Sequence, residues 1–77
     1  MTYEQAREQV NMARSHMQRS ERLLRYERME LNICATPDER FEQVRNIDEA
    51  KVRFERAKIR YDKAMQQAII CKLSNLS

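Results

Sequence analysis

Two stretches of the chain carry apolar and small residues at alternating three- and four-residue steps. In the first, the positions are Tyr3, Ala6, Val10, Ala13, Met17, Ser20, Leu24, Glu27, Leu31 and Cys34. In the second, they are Ile47, Ala50, Phe54, Ala57, Tyr61, Ala64, Ala68 and Cys71. Sixteen of these 18 positions are apolar, counting Ala and Cys, where the overall apolar fraction of 42% would place about eight. A 3.5-residue period keeps one stripe of a helix turned toward a partner, so the excess predicts two long helices packed along a seam.

Local signals divide the two stretches. Thr2 with Gln5 has the spacing of a capping box and starts the first helix at about residue 3. No breaker follows until Ala35-Thr36-Pro37-Asp38-Glu39, so this helix is expected to run to about Cys34. Thr36 reads as an N-cap, Pro37 as the first helical residue and Glu39 as the reciprocal capping residue. Asp38 adds negative charge at the positive end of the helix dipole. Pro37 also biases Thr36 away from helical dihedrals, which rules against one continuous helix. The expected layout is helix 3–34, turn 35–37, helix 37–72 and a frayed tail 73–77.

So short a connection makes the helices antiparallel neighbours. Pairing the small seam positions then matches Ala6 with Ala64, Ala13 with Ala57 and Ser20 with Ala50; each pair of numbers sums to 70. The larger positions match Val10 with Tyr61, Met17 with Phe54 and Leu24 with Ile47, with sums of 71. A turn near residues 35–36 requires such sums. Ala opposite Ala brings the backbones toward the lower end of the usual ~8–10 Å separation and leaves the hairpin's flanks available to something else. Glu27 interrupts the seam opposite Gln43, a polar layer that fixes register.

The fold class is therefore all-α, an antiparallel two-helix hairpin with an Ala-rich, coiled-coil-like seam, expected to form one domain over residues 1–77. Composition agrees: among 77 residues there is no Gly, one Pro and no Trp, and 35% are charged. A chain this short has little area to bury against its conformational entropy. A second layer is expected, completing a four-helix bundle either by homodimerisation or by a heterologous protein.

Candidate chemistry is sparse. His16 is the only histidine, and a lone helical histidine is more often a packing or surface residue than a catalyst. Cys34 and Cys71 fall at opposite ends of the hairpin, roughly 50 Å apart at 1.5 Å per residue, so they cannot bridge within one chain. Between two antiparallel hairpins they could meet, although reduced, packed thiols are the commoner case. No Glu-x-x-His or Cys-x-x-Cys spacing occurs. The expectation is a protein that is no enzyme and has no cofactor, metal or small-molecule substrate. No apolar run is long enough to span a membrane, and Met1-Thr2-Tyr3-Glu4 lacks the start of a signal peptide, so a cytoplasmic protein is expected.

Two surfaces remain as candidate sites. Apolar residues off the seam are Leu23, Tyr26, Met29 and Ile33 near the end of the first helix, and Val52, Ile59, Ile69 and Leu73 on the second. They exceed what scattered surface hydrophobes explain and suggest a docking face for other helices, in an adaptor, chaperone or inhibitor. Arg53, Arg56, Arg60 and Lys63 recur on one face of the second helix within a net charge of +3. They suggest a phosphate-tracking stripe for nucleic acid, against the plainer reading of a solvated helix flank.

The hairpin plan, with Met1-Thr2 and Asn11-Met12-Ala13-Arg14, resembles the Rop family of plasmid copy-number regulators, helical hairpins that dimerise into four-helix bundles and bind RNA. The resemblance implies a dimeric RNA-binding regulator. This chain is longer and its turn differs, so no functional residue is carried over.

Overall fold

The computed structural model describes residues 1–76 and contains two helices, α1 (Tyr3–Leu31) and α2 (Pro37–Leu76), packed side by side. All 18 seam positions are buried or half-buried. The seam register is fixed at several levels. Gln43 Nε2 donates to the carbonyl of Glu27 at 2.7 Å and to its Oε2 at 2.6 Å, so the polar layer forms as the spacing predicts. Leu24, Ile47 and Ala50 make a buried apolar cluster, with Leu31 and Phe54 packed against it. At the open end, Cys71 Sγ donates to the Met1 carbonyl at 3.8 Å.

Both caps form. Thr2 Oγ1 accepts from the Gln5 amide at 3.2 Å, and Gln5 Oε1 accepts from the Thr2 amide at 3.0 Å. At the second start, Thr36 Oγ1 accepts from the Glu39 amide at 3.2 Å. The Glu39 carboxylate reaches one residue further back than expected, to the Ala35 amide at 3.0 Å rather than to Thr36. That extra bond ties the turn itself to α2. Thr36→Ala is expected to cost ~1 kcal/mol, read as a shift in the urea or thermal unfolding midpoint.

The helix limits differ from the sequence expectation at two points. α1 stops at Leu31, not Cys34. Its continuation tightens into 3₁₀-type bonds, Asn32 to Met29, Ile33 to Glu30 and Cys34 to Leu31, which satisfy the last carbonyls while the chain reverses. No residue of the turn takes a positive φ, consistent with a reversal built without glycine. The turn therefore occupies residues 32–36. α2 continues through residues 73–76, expected to fray; Ser77 lies outside the described residues.

The result is a rod with Cα extents of 62 × 13 × 13 Å and a radius of gyration of 17.5 Å. A compact chain of this length would have a radius near ~11.5 Å. The surface of 6374 Å² likewise exceeds the roughly 5,000 Å² expected of a compact 9.3 kDa protein. Among the described residues only six apolar side chains are buried, three of them alanine. No helix among them is long and apolar enough to cross a membrane.

Candidate interaction surfaces

The seam leaves two flanks, and they differ. On one flank, cations cover the edges of the seam aromatics. The Arg14 guanidinium lies 5.7 Å from the Tyr61 ring centre, and its Nη2 donates to the Tyr61 hydroxyl at 3.4 Å. The Lys58 ammonium lies 5.5 Å from the Phe54 ring centre. The Arg14–Tyr61 contact joins α1 to α2, and the Lys58–Phe54 contact lies within α2; both are cation–π contacts with seam aromatics.

The other flank is open. A groove of about 520 Å³ runs between the helices, lined by His16, Arg19, Ser20 and Leu23 from α1 and by Arg53, Arg56, Ala57 and Arg60 from α2. Its floor is the small, buried pair Ser20 and Ala57, and Ser20 turns its hydroxyl back to the His16 carbonyl at 3.0 Å. Small floor residues let the helices approach without filling the space above them. No carboxylate lines this segment. Among the described residues, none of its four arginines forms a salt bridge; the ion pair present is Arg25–Glu21, at 2.6 Å on the opposite flank. Glu49 and Arg53, four residues apart on α2, form no salt bridge among the described residues, and Arg53 lines the groove.

Toward the turn the same flank changes sign. The adjoining depressions are lined by Leu23, Glu27, Asn46, Glu49, Ala50 and Arg53, and then by Glu42, Arg45, Asn46 and Glu49. Glu30 stands beside Tyr26 at this end. Its negative charge, and the hydrogen bond it takes from the phenol, hold the Tyr26 hydroxyl above its ordinary pKa.

The sequence-predicted residues are distributed as follows. Arg53, Arg56 and Arg60 come together in the groove, and Lys63 continues their line on α2 as an exposed residue. Arg19 and His16, contributed by α1, were not assigned to that surface; their signal was the step 16, 19, 23 beside the seam. The eight apolar candidates, Leu23, Tyr26, Met29, Ile33, Val52, Ile59, Ile69 and Leu73, are all exposed. They do not form one face. Leu23 sits in the groove, Val52 lies outside it among Asp48, Glu49, Arg53 and Arg56, and Ile69 and Leu73 lie at the far end of α2. Met12, Phe41, Val44 and Ile70 are also exposed and were missed. Among the described residues no group of His, Cys, Asp and Glu could hold a metal ion. Cys34 and Cys71 are free and half-buried.

Comparison with known proteins finds no matching family model, no matching curated protein and no matching solved structure.

Proposed function

We propose that this chain is a non-enzymatic protein–protein interaction module, a small adaptor, chaperone or inhibitor that works by laying its outer helix faces against other helices. The observation that carries this reading is the imbalance of surface. Fourteen large apolar side chains are exposed among the described residues, against six buried apolar ones. Such exposure on a charged rod favours completion of the hairpin to a four-helix layer, by a second copy or by a heterologous protein.

The outer stripe of α2 provides the test. Val52 and Ile59 are seven residues apart and about half exposed, so replacing both by Asp leaves the seam intact. Each would contribute roughly 1.5–3 kcal/mol on full burial, and part of that is already realised in the hairpin. Val52→Asp with Ile59→Asp is therefore expected to weaken partner binding roughly 10- to 100-fold. Parallel capture by wild-type and variant, with circular dichroism to verify folding, reads this directly. Identical sets of retained proteins would count against the reading.

The second reading is a dimeric nucleic-acid-binding regulator, and it is favoured by the unpaired arginines of the groove. Replacing Arg53, Arg56 and Arg60 by Gln would then remove RNA binding together with its salt dependence. An RNA affinity unchanged by that substitution would exclude the groove as the site.

A further inference from the structure

We infer that the grooved flank is a self-recognition surface, on which a second copy of the chain docks antiparallel about a two-fold axis near Leu23, the acidic half of each groove lying on the basic half of the other. This goes beyond the interaction-module reading, whose test lies on the outer stripe of α2, by naming a second surface and its partner. An isologous interface must be complementary to itself, and an end-to-end reversal of charge sign along one face meets that condition.

The axial positions agree. With Glu27 level with Gln43, Leu23 and Glu49 stand at nearly the same height, one on each helix. At 1.5 Å per residue, Glu42 and Glu30 lie about 9 and 12 Å from that level toward the turn, and Arg53 and Arg56 lie about 7.5 and 12 Å from it on the other side. A two-fold axis at that level lays each helix along its own counterpart. Glu42 then falls near Arg53 of the second copy, and Glu30 falls on the His16–Arg19 side of the opposing α1, while exposed Leu23, with Glu49 beside it, meets its own symmetry mate. The outcome is a small apolar contact at Leu23 flanked by charged residues of opposite sign on its two sides. The groove arginines make no internal salt bridge among the described residues, so docking would not have to break one. The hairpin's excess surface over a compact protein of its mass also exceeds the ~800 Å² that each partner of a standard interface buries. A polyanion fits the face less well, because beyond Arg53 the carboxylates of Glu27, Glu42 and Glu49 outnumber the single cation Arg45.

A charge swap tests the inference. One chain carries Arg53→Glu with Arg56→Glu, and a second carries Glu30→Lys with Glu42→Lys. Sedimentation equilibrium measures each alone and the equimolar mixture, with circular dichroism as the folding check. Wild-type is expected to dimerise and to dissociate more readily in 1 M salt, where the screening length is about 3 Å. Each reversed chain is expected to dimerise at least ~100-fold more weakly, and the mixture to recover the dimer mass as a heterodimer. Should either reversed chain lose its helix, Arg53→Gln with Arg56→Gln and Glu30→Gln with Glu42→Gln serve instead. Both neutral chains must then weaken the dimer. Val52→Asp with Ile59→Asp is expected to leave the dimer mass unchanged, which separates this surface from the outer stripe of α2. Three results would overturn the inference: a wild-type monomer at all concentrations, reversed chains that dimerise as well as wild-type, or a mixture of folded reversed chains that stays monomeric. A wild-type monomer that binds a short RNA duplex through Arg53 and Arg56 would overturn it in favour of a phosphate-binding groove.

Discussion

Replacing Ala50 and Ala57 together by Leu is expected to destabilise the hairpin by about 2–6 kcal/mol, twice the ~1–3 kcal/mol cost of overpacking one close-packed site. The two alanines are 3% and 1% exposed, and both lie on the seam. The opposing layer at Ala50 is Ser20, itself buried, so no neighbouring side chain can withdraw to make room. The extra methylenes must push the helices apart, and separation would undo the Leu24–Ile47 contact one layer away. With a total stability of only a few kcal/mol expected for so small a core, the variant should lose its cooperative melt. A control places Leu at exposed Gln66 and should change the midpoint little. Retention of the wild-type melting curve by the double variant would mean that the alanine layers are not in close contact.

The second large effect lies at the polar layer. Gln43 Nε2 gives two short bonds to Glu27, one to its backbone carbonyl and one to its carboxylate. Gln43→Ala removes both donors and leaves a half-buried carboxylate facing the seam, at an expected cost of about 1–3 kcal/mol. Replacing both partners, Glu27→Leu with Gln43→Leu, removes the stranded charge as well. That double variant should be close to wild-type in stability or above it, while losing the feature that specifies register. Denaturant unfolding of Glu27→Leu, Gln43→Leu and the double gives the coupling directly. Strict additivity of the single effects would show that the two side chains do not act together.

These residues also show how much of the fold is legible in the sequence. The three- and four-residue spacing placed all 18 seam positions, because a two-helix hairpin has one interface and its period is visible over about nine turns of the first stretch and about seven of the second. The sums near 70 fixed the register, down to Glu27 opposite Gln43, because a short turn leaves no freedom to slide. The Thr36-Pro37 start was legible because capping is chemistry local to four residues. The end of α1 was not. Nothing in Asn32-Ile33-Cys34 forbids another helical turn, and the 3₁₀ tightening at Leu31 follows from the need to bring α2 back alongside.

The candidate surface was legible only in part. Arg53, Arg56 and Arg60 share a face by spacing within one helix, and the structure places them together. The groove also needs Arg19 and His16 from α1 and the small floor of Ser20 and Ala57, a juxtaposition that depends on which flanks of the two helices meet. The off-seam hydrophobes are each exposed as their spacing implies, with Leu23 in the groove and Val52 outside it. The flank bearing Arg14 and Lys58 looks equally basic in sequence, but there the cations lie over Tyr61 and Phe54. Charge alone could not distinguish the two flanks; the aromatic seam neighbours do.

A lone hairpin buries only six apolar side chains among the described residues, and its completion by further helices is the proposal made above. Thermal melts followed by circular dichroism over a hundredfold range of protein concentration, with molar mass by light scattering at each point, test it most directly. The account predicts a midpoint that rises with concentration while the mass climbs above the 9.3 kDa of one chain. A cooperative melt whose midpoint is independent of concentration, from a species that stays at 9.3 kDa throughout, would contradict it.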